Sequence, residues 1–293
     1  MKPLTRQAIR DNWTHLRIPF QMTLAPIFLW GWFVSGTPPA WRLISAFLAF
    51  HLFLYTGITA YNSYFDRDEG PIGGLERPPS IHESLLPLSI VMQALGFLLA
   101  IPAGPVFCAI YLVFVCLGVL YSHPRTRWKA NVWLSTLVVC GGQGALGFLA
   151  GWTAARGEIA SAASLRGILG AASAALTTFG MYPLTQVYQV EEDARRGDRT
   201  LCVSLGPAGG LRVSQVAFLA AGLVSIALAI RFYRPADAAI LAAAYLALIW
   251  RVGRFRREYA SLTGSEAFQT VLRLSYGSSA AFLAFICARL AAL

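Results

Sequence analysis

Charge is what this chain has little of. Only 13% of its 293 residues are Asp, Glu, Lys or Arg, about half the share of a soluble domain. Hydrophobic residues make up 56%, and the mean hydropathy is +0.56. That balance excludes disorder, a coiled coil and an ordinary soluble enzyme. The five cysteines, Cys108, Cys116, Cys140, Cys202 and Cys287, contain no Cys-x-x-Cys pair, and four lie inside apolar stretches. They read as small packing residues, with no disulfide framework and no zinc site. The four histidines, His15, His51, His82 and His123, are scattered without metal-pair spacing. No glycine-rich phosphate loop is present either. Gly141–Gly147 lies within an apolar stretch, where small residues permit close helix packing.

What is there is a succession of nine apolar stretches, near 18–34, 41–61, 85–103, 105–121, 132–152, 167–188, 213–231, 236–250 and 268–290. Most approach the roughly 20 residues a spanning helix needs. Pro102-Ala103-Gly104-Pro105 predicts a tight turn, so the third and fourth stretches should form an antiparallel hairpin. The basic segment 1–17 has the charge of a signal n-region, but the stretch after it is long and has no small-residue cleavage site, so it reads as a retained span. The expectation is an all-α integral membrane protein: one domain over 1–293, a nine-helix transmembrane bundle with cytoplasmic cap loops.

Nine spans put the termini on opposite sides. Of the 24 Lys and Arg, 18 then share the side of the N-terminus and of the loops near 62–84, 122–131, 189–212 and 251–273. The positive-inside rule makes that side cytoplasmic and leaves the C-terminus outside. A prokaryotic inner membrane is the simplest location. The net charge of +10 is spread between apolar stretches, which argues for a lipid bilayer and against nucleic acid as the partner. Acidic residues follow the same division, which no topology rule requires. Twelve of 14 lie on the cytoplasmic side, and nine of these fall in two segments, Asp66 to Glu83 and Glu191 to Asp198.

The first segment continues from the second span. If its helix runs on, Asn62 and Asp66 stand one turn apart on one face, with Asp68 and Glu69 just before the breakers Gly70-Pro71. The second continues from the sixth span, with Gln189 and Asp193 again four apart and Glu192 on the same side. Two helices would each end in an amide followed one turn later by an aspartate. Oxygen-only clusters of this kind suit Mg²⁺, which takes one or two carboxylates together with phosphate oxygens. Arg67, Arg77, Lys129, Arg195, Arg196 and Arg199 lie on the same side and can hold a polyanion. Carboxylates and cations at the mouth of an apolar bundle suit a diphosphate with an apolar tail. A solvated charged loop is the plain alternative for either run alone; the repeated spacing argues for a built site.

Asn62-x3-Asp66 ahead of Arg77-Pro78, then Tyr121 and Lys129, then Asp193-x3-Gly197-Asp198-Arg199-Thr200-Leu201 and Leu205-Gly206 resemble the UbiA superfamily of intramembrane prenyltransferases over nearly the whole chain. The resemblance departs at Ser63 and Gly70, where the first motif has Asp, at Gln189, where the second has Asp, and at Asp198, where it has Lys. It implies transfer of an isoprenyl group from an isoprenyl diphosphate to an aromatic or lipid acceptor, with Mg²⁺. The implied metal ligands are Asn62, Asp66 and Asp68, with Gln189, Glu192 and Asp193. Motif matching favours Glu191 over Glu192 for one place, and helical facing favours Glu192. Arg67, Arg77, Lys129, Arg195 and Arg199 would hold the substrate's phosphates. Asp66, Asp193, Lys129 and Tyr121 are the catalytic candidates. Tyr61, Tyr64, Phe65, Tyr121, Tyr182 and Tyr188 offer aromatic faces to an allylic cation, with packing or interface anchoring as the plain alternative for each.

Three rivals stand beside this reading. A terpene cyclase would keep the fold and trap the cation internally. A non-catalytic relative would only bind a prenyl lipid. A transporter would need charged residues near the midplane and broken helices. The acceptor, whether aromatic acid, quinone precursor, tetrapyrrole or glycerol lipid, is open.

Overall fold

The computed structural model describes residues 5–291. Nine long helices run through them: α1 (Arg6–Ser35), α2 (Trp41–Asp66), α3 (Leu85–Ala103), α4 (Pro105–Ser122), α5 (Val132–Arg156), α6 (Leu165–Gln186), α7 (Leu201–Phe232), α8 (Pro235–Ser261) and α9 (Gly264–Leu290). No strand occurs among the described residues, only two isolated bridges. Eight of the nine are long and apolar enough to cross a membrane. The remaining one, α6, carries Ser173, Thr177, Thr178 and Thr185. It lies inside the bundle, and these hydroxyls bond back to carbonyls one turn earlier or face a central cavity. Outward faces are the reverse of a soluble protein's: Leu95 and Leu98 on α3, Leu112 on α4, and Leu219 and Leu223 on α7 are all exposed. The chain is an integral membrane protein, with lipid covering what water would not.

Glycine sets the closest helix contact. Gly31 of α1 and Gly151 of α5 face each other's backbones reciprocally. A Cβ at Gly31 would stand 1.9 Å from the Phe148 carbonyl oxygen, and one at Gly151 would stand 1.8 Å from that of Phe28. Only missing side chains permit this approach. Gly144, in the small-residue stretch of α5, likewise meets the α6 backbone at Ala175. Residues Leu137–Leu146 of α5 are wound as π-helix, a form that recurs at functional sites. The expected turn between α3 and α4 is present, with Gly104 at φ +99°.

At one end, loops and short helices make a cap. The segment ahead of the first expected span is itself helical, Arg6–His15. Within α1 it is set off from the membrane-spanning part by a break at Arg17, left-handed at φ 50° and ψ 37°, just before Ile18-Pro19. This segment docks on the loop after α2 through Asn12 to Ser84 (2.8 Å), His15 to the Pro79 carbonyl (3.0 Å) and His82 to Asp11 (2.8 Å). Exposed Trp13, Trp133 and Trp250 ring the cap end of the bundle, and Trp41 is exposed at the other end, as interfacial belts require. All five cysteines are free.

Candidate active site

The first acidic segment is helical where the sequence predicts it. α2 runs unbroken to Asp66 and stops at Arg67, which is left-handed at φ 49°. Asn62 and Asp66 therefore share a face, and the Asn62 amide donates to Asp66 Oδ2 at 2.5 Å and to Ser122 Oγ at 3.0 Å. Lys129, on the turn Trp128–Ala130 before α5, brings its ammonium 2.6 Å from Asp66 Oδ1.

The second segment departs from expectation. α6 ends at Gln186, and Gln189 is the N-cap position of a separate cap helix, Val190–Arg195. Glu191, Glu192 and Asp193 fill the first turn of that helix, where the positive end of the dipole favours carboxylates. The i, i+4 spacing of Gln189 and Asp193 survives, with the Asp193 amide donating to the Gln189 carbonyl at 2.9 Å, but on a new helix and not at the end of a span.

The two segments meet. The Glu192 carboxylate accepts from the backbone amides of Glu69 (3.0 Å) and Gly70 (3.1 Å) and pairs with Arg196 at 2.5 Å. Arg196 also pairs with Asp68. Asp198 accepts both arms of Arg127 at 3.0 Å each. Glu192 thus closes the junction between segments and has no free oxygen directed at the cavity.

Beneath this cap lies a cavity of about 740 Å³, within the range of small-molecule sites. Its polar end is lined by Arg17, Asn62, Asp66, Asp68, Tyr121, Lys129, Tyr188, Gln189, Asp193 and Asp198. Its depth is lined by apolar residues of α1, α4, α5, α6, α8 and α9, among them Ile27, Phe114, Val139, Met181, Leu248 and Phe282. Five of the six implied metal ligands therefore line one space, and Glu192 stands outside it. Of the five expected phosphate holders only Lys129 lines the cavity. Arg67, Arg77, Arg195 and Arg199 are exposed on the cap, and Arg67 faces Glu83 at 3.6 Å. Tyr121, Tyr182 and Tyr188 line the cavity; Tyr61, Tyr64 and Phe65 pack on one another outside it.

Two cavity cations were not legible as such. Arg17 donates to the Gly73 and Thr59 carbonyls and to Ser63 Oγ (3.1–3.3 Å), which aims it across the mouth. A lone arginine before an apolar run is the ordinary end of a span, so nothing in the sequence marked it. Arg251, on α8, stands at the rim. The histidines carry no site: His51 is buried and stacked on Phe47 at 4.2 Å, and His123 accepts from a backbone amide.

Among the described residues no three His, Cys, Asp or Glu side chains cluster tightly enough to hold a metal by themselves. Mg²⁺ does not require that. It is commonly bound by one or two carboxylates with substrate phosphates and water supplying the rest. Asp66 and Asp193, with the amide oxygens of Asn62 and Gln189 nearby, form an oxygen-only donor set that fits such an ion. Asp193 has no cationic partner within ion-pair distance among the described residues. Burial pushes its carboxyl up to about 7; Asp198 and Asp68 push the same way and Lys129 opposes them.

The sequence pattern of the UbiA prenyltransferase family matches residues 23–275. The chain belongs to the UbiA prenyltransferase family. No curated protein matches it. Among solved structures it is similar to a UbiA homolog from Archaeoglobus fulgidus bound to GPP and Mg²⁺, with TM-score 0.68 and 19% identity, covering 94% of this chain and 99% of that one. The same homolog bound to DMAPP and Mg²⁺ gives TM-score 0.66, with the same identity and coverage. A UbiA homolog from Aeropyrum pernix K1 gives 0.60 at 19% identity, covering 91% and 98%. At these identities the likeness establishes the UbiA fold.

Proposed function

We propose that this UbiA protein transfers an isoprenyl group from an isoprenyl diphosphate to a hydrophobic or aromatic acceptor within the membrane, in a Mg²⁺-dependent reaction. The observation that carries the reading is the meeting of both acidic segments and Lys129 at the polar end of an apolar cavity of about 740 Å³. A diphosphate headgroup matches that end and an isoprenyl tail matches the depth. The UbiA homolog from Archaeoglobus fulgidus, whose structures are bound to GPP or DMAPP with Mg²⁺, supports the ligand class.

When bound, Mg²⁺ neutralises the diphosphate leaving group. Asp66 and Asp193 would be its principal ligands, with Asn62, Asp68 and Gln189 completing the oxygen set. Lys129 and Arg17 donate to phosphate oxygens as charge-assisted hydrogen bonds and stabilise the charge that grows as the C–O bond breaks. Tyr121, Tyr182 and Tyr188 turn aromatic surface toward the allylic carbon, where a developing cation is stabilised by ring quadrupoles. The apolar walls keep water from that cation and leave the acceptor as the nucleophile. The cap faces the cytoplasm of a prokaryotic cell, and 1–293 act as a single domain.

The test is calorimetric titration of the detergent-purified protein with non-hydrolysable DMAPP, GPP and geranylgeranyl diphosphate analogues, with and without Mg²⁺. Binding of at least one should need Mg²⁺, and both Asp66→Asn and Asp193→Asn should weaken it by about 10-fold or more, the scale of a lost charge-assisted contact. Binding indifferent to Mg²⁺ and to both aspartates overturns the site. Product analysis with the natural diphosphate then separates transfer from internal cyclisation.

A further inference from the structure

We propose that Asp198 is a positioning residue for Lys129, acting through a latch with Arg127; this rests on the reading of the site given above. Where the family resemblance has a lysine, this chain has an aspartate, and its surroundings say what it does. Asp198 is 3% exposed. Both its oxygens are engaged by Arg127, at 3.0 Å from Nε and from a terminal nitrogen. A bidentate arginine–carboxylate pair fixes geometry as well as charge, and it leaves Asp198 poorly placed to serve as another metal ligand.

The latch acts on a neighbour. Arg127 is left-handed, at φ 40° and ψ 49°, a conformation that a non-glycine residue adopts rarely. It starts the turn Trp128–Ala130 that carries Lys129. The same turn is tied to the second acidic segment by the Arg199 amide, which donates to the Ala130 carbonyl at 2.9 Å. The Lys129 ammonium then sits between two carboxylates, 2.6 Å from Asp66 and 4.0 Å from Asp198. Among the described residues Lys129 is the one lysine that lines the cavity. A negative charge at 198 thus takes the place of a lysine in the motif, and its effect is to seat the lysine that the other loop provides. Asp198 and Arg127 act on the diphosphate through Lys129 and not by touching it.

A double-mutant cycle tests this. Affinity for the tightest-binding diphosphate analogue in Mg²⁺ is measured for wild type, Asp198→Asn, Lys129→Gln and the double variant, with Tm measured for each. Asp198→Asn should weaken binding by about 10- to 100-fold, the usual effect of removing a group that orients a ligand-binding side chain. In the Lys129→Gln background it should add little, because coupled residues share one effect. Arg127→Gln should behave as Asp198→Asn does. In the free protein, Lys129 should be acetylated faster by acetic anhydride once Asp198 is neutralised. Equal losses from Asp198→Asn in both backgrounds, or no loss in either, overturn the proposal while leaving the diphosphate site standing. Failure of wild type to bind any analogue in a Mg²⁺-dependent way overturns the site reading itself, and this proposal with it.

Discussion

At the scale of residues, burial and two neighbouring carboxylates push the Asp193 carboxyl up to about 7 against the pull of Lys129, so it holds its proton into the neutral range. A metal must displace that proton to bind. The group is protonated below its raised pKa, so Mg²⁺ affinity should fall as pH drops from about 8 to about 6, toward a tenfold loss per pH unit below the pKa. Mg²⁺ titration in the presence of a diphosphate analogue checks this, and Asp193→Asn should weaken binding and flatten its pH dependence together. An affinity independent of pH in wild type would remove Asp193 from the ligand set. Asn62, Asp66, Gln189, Asp193 and Lys129 were legible in the sequence because amide-x3-Asp repeated, and because the family resemblance singled out the lysine. Arg17 and Arg127 were not, and Arg196, expected to hold a polyanion, pairs instead with Asp68 and Glu192. Their importance comes from which carboxylate or carbonyl each meets across 40 to 130 residues of chain, and spacing along a sequence carries no such information.

At the scale of elements, the nine stretches became nine helices, because apolarity over a span's length reports a lipid-facing helix directly; α1 starts at Arg6, α7 starts at Leu201 and α8 runs to Ser261, each well beyond its apolar stretch into the polar cap, where hydropathy marks no boundary. α6 was the weakest of them by composition, since its polar residues face the cavity and its neighbours. Its expected continuation through Gln189 failed at a local competition: three acids in a row are better placed in the first turn of a new helix than near the C-terminal end of an old one. The glycine stretch of α5 has the pattern of a packing face, and Gly144 does pack, but the tightest of the glycine contacts belongs to Gly31 and Gly151, which no pattern distinguishes. Gly151→Ala should therefore lower Tm markedly, with overpacking costing about 1–3 kcal/mol or more. Gly141→Ala is the control. Its Cβ would meet only a Leu137 methyl at 3.7 Å, so it should be neutral or stabilising by up to about 1 kcal/mol. Thermal melts of the two variants in one detergent decide the matter, and equal midpoints would sink the argument from backbone contact.

For the whole molecule, the excess of Lys and Arg and the acid-rich cap fall at the same end, which is the cytoplasmic end in the proposed orientation. Single-cysteine reporters in a cysteine-free background test the orientation. Thr126→Cys in the cap should react with an impermeant maleimide only after the membrane is opened, and Ala163→Cys at the opposite end should react in intact cells. The reverse pattern would invert the protein.

The interlocked glycines have a mechanical consequence. α1 and α5 touch backbone to backbone and have no side chains there to rearrange, so that wall cannot yield without tearing apart. α8 and α9 are held differently. They are pinned at the far end by Arg289 to Asp237 at 2.9 Å and at the cap end by the short connection through Leu262 and Thr263. Between those pins they line the cavity, along Ile240–Arg251 and Leu274–Phe285. Between the pins they are held by side chains, Thr177 to Tyr245 at 2.6 Å, Gln215 to the Ile249 carbonyl at 3.2 Å and Ser279 to the Thr23 carbonyl at 2.8 Å. The two sides of the bundle thus differ in kind: one closes on backbone that has no rotamer to change, the other on side chains that do.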